Sequence, residues 1–124
     1  MKLLLDTHVV LWWLADEPLR QETLDAIGHP RSIVCVSAAS AWEIGIKVGL
    51  GKLRPPADIE TQLQAERFTR LPVTLKHGFH VGNLPLLHTD PFDRLLVAQA
   101  QLEGLTIVTR DPRIAAYAVE TLAA

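Results

Sequence analysis

Five acidic side chains carry the chemistry this sequence could do. Asp6 ends the apolar run "KLLLD", and Glu43 lies about one turn into "AASAWEIGIKVGLGK". Asp90 and Asp93 open "DPFDRLLVAQAQLEG", and Asp111 follows "LTIVTR". Each has a structural reading. Asp90 before Pro91 fits a helix N-cap and first position. Asp93 then falls where a carboxylate favours the helix dipole. Ser40 and Glu43 fit a capping box, with Ser37 an equally good cap. Asp111-Pro112 reads as a turn. Asp6 resists such a reading, because the end of a buried strand is a costly place for an unpaired charge. Brought together, the acids would repel unless protons or cations intervened. All-oxygen ligand sets suit Mg²⁺ or Mn²⁺. One or two such ions could activate water and stabilise the leaving oxygen in phosphodiester cleavage.

The elements that must position these acids follow from hydrophobic patterning. "KLLLD" and "SIVCVS" are short apolar runs of the kind that form strands covered on both faces. "HVVLWWLA" (8–15) starts a first helix, and Pro18 opens a second, "PLRQETLDAIG", which Gly28 stops. The helix after "SIVCVS" sets Ala38, Ala41, Gly45 and Val48 on one side, with Trp42, Ile46 and Gly49 beside them; Gly49 and Gly51 end it. Pro55 and Pro56 lead into "ADIETQLQAERF", with Ile59 and Leu63 inward. "LPVTL" (71–75) is a strand, a short helix follows over 76–83, and "LPLLHTD" is a loop. Phe92, Leu95, Leu96, Gln99 and Ala100 keep helical spacing as far as Gly104, a suitable C′ residue. "LTIVT" (105–109) is a strand, and "AYAVETLA" is a strand or a helix.

Strands alternating with helices imply a three-layer α/β/α sandwich on a central parallel sheet. In such a sheet the strand carboxyl ends and helix amino ends share one edge, where ligands bind. All five acids fall at that edge.

The totals bound the rest. At 124 residues the chain suits a single domain over 1–124. Its 48% hydrophobic and 21% charged content is that of a globular protein. A net charge of −2 gives no overall basic surface, so nucleic-acid binding has to come from a local patch or from ions. Cys35 is the sole cysteine and sits in an apolar run, so a buried thiol in a reducing cytoplasm is expected. Asp6, Thr7 and His8 break up the apolar N-terminus, so neither a signal peptide nor a membrane span is expected there.

"LLLDTHVVLWWL", "SAASAWEIGIKVGLGKL", "HTDPFDRLLVAQAQLEGLTIVTRD" and "AAYAVETL" resemble, in order, the PIN domain, and within it the VapC-type toxins of bacterial toxin–antitoxin pairs. The resemblance implies a PIN-like nuclease domain and a metal-dependent endoribonuclease. It puts metal-binding acids at Asp6, Glu43, Asp93 and Asp111, with Asp90 in the same motif but less surely a ligand. Thr7 and Thr109 would support the site. The resemblance also implies a homodimer and a small cognate antitoxin. The ending "VETLAA" lacks the aromatic residue associated with close relatives.

His8, His77, His80 and His88 match no compact zinc spacing; His88 could orient a carboxylate or touch RNA. Arg94, Arg110 and Lys47 are possible RNA contacts, with structural ion pairing an equal alternative for the arginines. Lys47, Lys52 and Arg54 could form a basic strip or merely a solvated surface. Trp12 and Trp13 point about 100° apart on a helix, so one is expected in the core and the other at an interface. Two rival functions remain: a non-catalytic, ion-dependent RNA- or protein-binding module of the same fold, and an aspartyl-nucleophile phosphatase. The phosphatase needs an acid where this chain has His8.

Overall fold

The computed structural model describes residues 1–54 and 58–124. Pro55 and Pro56, expected to lead into the helix "ADIETQLQAERF", and its first residue Ala57 lie outside the described residues. In chain order the elements are β1 (Lys2–Leu5), α1 (Thr7–Leu14), α2 (Gln21–Gly28), β2 (Ile33–Ser37), α3 (Ala38–Gly49) and α4 (Ile59–Ala65). They continue as β3 (Thr69–Leu71), α5 (Leu75–Val81), α6 (Pro91–Glu103), β4 (Thr106–Thr109), α7 (Pro112–Ala115) and β5 (Thr121–Ala123). The strands form one sheet in the order β3-β2-β1-β4-β5, and every pairing is parallel.

The period-2 alternation of β1 divides the core. Leu4 faces one side with Cys35, Ile107, Leu96, Val97 and Ala100, against α6. Leu3 and Leu5 face the other with Val34, Val108, Val9, Val10 and Ile44, against α1 and α3. A sheet covered on both faces is the three-layer architecture expected. Among the described residues no helix is long and apolar enough to cross a membrane.

Several boundaries differ from the sequence reading, each for a local reason. α2 begins at Gln21 rather than Pro18, because Arg20 is extended and caps it without a side-chain bond. The third strand ends at Leu71 instead of running through 75. Pro72 has no N–H to continue pairing, and Thr74 caps α5 by accepting from the His77 amide at 3.3 Å. α3 buries Ala39, Ser40, Glu43 and Ile44, so the two sides read from the spacing are not its inward face. Trp12 and Trp13 both pack, half-buried, on the core. The exposed tryptophan is Trp42, at 63%. The final segment forms β5, and its Leu122 pairs in register with Val108.

Gly104 ends α6 with φ at +67°, in the left-handed region. The space beside it is open, so Gly104→Ala tests backbone strain alone. It should cost about 1 kcal/mol in urea unfolding; an unchanged midpoint would show that the turn tolerates a side chain.

Candidate metal centre

The sheet order places a topological switch between β1 and β4, since the chain leaves β1 for opposite sides of the sheet. A crevice opens at the carboxyl ends of strands flanking such a point. The acids gather there.

Asp6 extends the β1–β4 ladder by one bond, donating its amide to the Val108 carbonyl at 3.1 Å. The chain then turns into α1, and Asp6 caps it: Oδ1 accepts the Val9 amide at 3.1 Å. Its Oδ2 accepts the Thr109 hydroxyl at 2.5 Å. The same Thr109 oxygen accepts the Asp111 amide at 3.0 Å. Thr109 therefore links the acid after β1 to the acid after β4. Thr7 donates to Ser40 Oγ at 3.0 Å, tying α1 to α3. Ser40 is thereby taken from any cap. Ser37 caps α3 instead, accepting the Ala39 amide at 3.0 Å.

Glu43 is buried on α3, with Oε2 paired to Lys47 Nζ at 2.9 Å. Its Oε1 is buried with no hydrogen-bond partner among the described residues. A buried orphan on a charged group is expensive. Trp42 and Phe92, the residues before Glu43 and Asp93, meet edge to face at 5.1 Å, which packs the start of α6 against α3.

Asp90 is the α6 N-cap: its Oδ1 accepts the amides of Phe92 at 2.8 Å and Asp93 at 3.0 Å. Asp93, one turn in, accepts from His88 Nε2 at 2.8 Å. Burial pushes the Asp93 carboxyl up to about 6; the His88 hydrogen bond opposes this, and the charges of Asp90 and Asp6 add to it. Asp111 caps the single turn α7 and is bridged by the Arg113 guanidinium at 3.2 Å. Burial raises it, but the Arg113 hydrogen bonds and charge outweigh that and hold it below the usual carboxylate range.

His88 was undervalued from sequence. Its Nε2 also lies 3.6 Å from Asp111 Oδ2, so the ligand-type atoms of His88, Asp93 and Asp111 all fall within 4.8 Å of one another. No spacing rule predicts this, because the 82–90 loop must fold back to deliver the ring. Two further residues do that. Arg94 donates to the carbonyls of Val81 (3.2 Å), Pro85 (3.0 Å) and His88 (3.4 Å) and to Tyr117 Oη (3.0 Å). Tyr117 Oη also accepts the His88 amide at 3.0 Å.

The arginines weighed as RNA contacts are thus engaged within the fold. Arg94 is the loop brace just described. Arg110 donates to the carbonyls of Ala124 (3.0 Å) and Pro18 (2.9 Å), and its guanidinium lies 4.2 Å from the Trp12 ring centre. His77 and His80 bond to Glu103 (2.9 Å) and Gln101 (2.7 Å) between α5 and α6, away from the acids. An apolar groove of about 750 Å³ between α3, α4 and the β3 edge is lined by none of the five acids.

The donor set fits a hard divalent cation. A carboxyl pushed up to about 6 by burial and like charge, within 4.8 Å of a second carboxylate, is what oxygen ligands look like before a cation neutralises them.

Known proteins resemble this chain in sequence and in fold. The model of the PIN domain family matches residues 3–120. Ribonuclease VapC22 of Mycobacterium tuberculosis is 30% identical over 118 residues, covering 92% of this chain and 90% of that protein. Among solved structures, VapBC2 from Rickettsia felis, bound to a DNA fragment from their promoter, aligns with a TM-score of 0.75 at 17% identity, over 98% of both chains. A toxin–antitoxin complex from Klebsiella pneumoniae aligns with a TM-score of 0.66 at 16% identity, over 97% of this chain and 95% of that one. A family match over almost the whole sequence, on a parallel sheet whose switch point gathers the acids, places this chain in the PIN domain family.

Proposed function

We propose that this chain is a metal-dependent endoribonuclease, the toxin of a toxin–antitoxin pair, acting as a single domain in the cytoplasm. The observation that carries the reading is the acidic cluster at the switch point, with the Asp93 carboxyl pushed up to about 6, on a chain 30% identical to a VapC ribonuclease. Asp6, Glu43, Asp93 and Asp111 would hold one or two Mg²⁺ or Mn²⁺ ions, with Asp90 serving as the helix cap. When bound, such an ion supplies charge stabilisation at a phosphodiester and a hydrolytic water at neutral pH. The chain's own residues do the positioning. Thr109 fixes Asp6 and the Asp111 backbone together, and Thr7 holds α1 against α3 beside Glu43. Lys47, partly exposed and paired with Glu43, would meet the RNA backbone once that pair opens to free Glu43 for the ion. A small antitoxin partner is supported by the likeness to solved toxin–antitoxin assemblies, and a homodimer is expected with it.

The test is cleavage of a labelled RNA by the purified chain. Added Mn²⁺ or Mg²⁺ should support endonucleolytic cutting, and EDTA should stop it. Undiminished turnover in EDTA sinks the ion-dependent mechanism. RNA that is bound but never cut, at any divalent ion, would favour the non-catalytic module.

A further inference from the structure

We infer that His88 is a positioning residue that presets the Asp93 and Asp111 carboxylates for a divalent cation. This rests on the ion-dependent reading above. The ring is buried and offers Nε2 to Asp93 Oδ2 at 2.8 Å, with Asp111 Oδ2 at 3.6 Å. Its other nitrogen, Nδ1, faces the Asp90 amide at 3.4 Å. An amide can only donate, so Nδ1 is the acceptor and the ring proton sits on Nε2. A nitrogen that carries a proton donates to carboxylates and does not ligate a cation. The ring therefore sets the Asp93 carboxylate in place from behind rather than joining the ligand set.

The backbone around His88 is held from both sides. Tyr117 Oη accepts its amide, and Arg94 donates to its carbonyl. Asp90 contributes twice, through its amide to Nδ1 and through its Oδ1 to the Asp93 amide. One rigid loop thus aims a single N–H at two acids that come from different segments, α6 and the end of β4. Ring donors that orient ligating groups contribute about 10- to 100-fold in metal affinity in comparable sites.

Three variants of the full chain test this. Gln places an amide nitrogen where Nε2 sits, Asn places one near Nδ1, and Leu has no donor. The primary readout is Mn²⁺ affinity by calorimetry, with thermal unfolding in EDTA recorded alongside. His88→Gln should bind Mn²⁺ close to wild type, while His88→Asn and His88→Leu should bind about 10- to 100-fold more weakly. Because Gln and Asn differ by one methylene, this split survives even if His88→Leu fails to fold. Equal Mn²⁺ affinity in wild type and His88→Asn would reduce His88 to a fold residue and overturn the proposal. A ¹⁴N coupling to bound Mn²⁺ in the wild-type spin-resonance spectrum, lost in His88→Gln, would make it a direct ligand and overturn it as well. If wild type binds Mn²⁺ in this pattern yet cuts no RNA, the nuclease reading falls while the role of His88 stands. If wild type binds no divalent ion, both fall.

Discussion

Asp93→Asn should make the ion-free protein more stable at pH 8 while cutting RNA cleavage by at least ~100-fold, the scale of losing a ligand to a catalytic cation. The stability half follows from linkage. The folded-state pKa of Asp93 is raised from 3.8 to about 6. Between those values the folded chain binds more protons than the unfolded chain, so stability falls as pH rises. Above about pH 6 the penalty is complete, and below about pH 4 it is gone. The side chain is 15% exposed, so solvent screening trims the penalty to the order of 1–2 kcal/mol. Asn carries no charge and keeps an oxygen for the His88 N–H, so it removes the penalty without creating a new orphan. Chemical denaturation in EDTA at pH 4.5 and pH 8 checks this: the gain should appear only at the higher pH. Mn²⁺ should reverse the ranking, because it stabilises the form that binds it. Wild-type cleavage should fall as pH drops through about 6 and resist that fall at higher ion concentration. A variant less stable than wild type at pH 8 in EDTA would show that Asp93 is not strained by burial and like charge.

Much of the fold was legible because the apolar runs are strong and their boundaries chemical. "KLLLD" and "LTIVT" read as buried strands, and Gly104 as the residue that ends a helix. Placing the acids at one sheet edge needed nothing more than the alternation of strands and helices. Several of the differences share a cause, which is that local pattern does not report tertiary hydrogen bonding. Pro18 looked like a helix start, yet its carbonyl serves the Arg110 guanidinium and the chain stays extended to Arg20. Ser40 fitted a capping box, yet it is buried against Thr7. The α3 spacing pointed to Ala38 and Ala41, whereas the face turned inward carries Ser40 and Glu43, polar residues that a hydrophobic pattern discounts. The sequence could offer His88 as a residue that orients a carboxylate or touches RNA but could not choose, since its partners are supplied by a loop whose shape depends on Arg94 and Tyr117. In the acidic cluster the sequence conveys which carboxylates lie at the edge and that Asp90 caps its helix, but not that Asp6 and Asp111 are caps as well. Asp6, Asp90 and Asp111 each accept an amide at a helix start. The helix starts thereby hold the acids in place as a by-product of ending their own unpaired amides.

Arg94→Ala should be the more damaging substitution for the fold, and it separates two readings of this residue. As a loop brace, Arg94 satisfies three carbonyls and the Tyr117 hydroxyl at once. Alanine leaves those acceptors partly buried without their donor, a loss of roughly 3 kcal/mol. For a chain of this size that lowers Tm by about 10 °C. Lysine should do little better, because one ammonium cannot span acceptors that a planar guanidinium reaches with two nitrogens. Cleavage should fall as well, through the displaced His88 ring, with the loss carried by weaker Mn²⁺ binding. As an RNA contact, Arg94 would behave differently: Tm would hold, and the salt dependence of RNA binding would flatten by about 0.7 in the log–log slope, the share of one phosphate on a single strand. The guanidinium's intramolecular bonds decide between these in favour of the brace, since a group already making four bonds would have to abandon the loop to meet a phosphate. Thermal melts and RNA titrations at several salt concentrations, on wild type and Arg94→Ala together, check both expectations. An unshifted Tm with a flattened slope would return Arg94 to the substrate side.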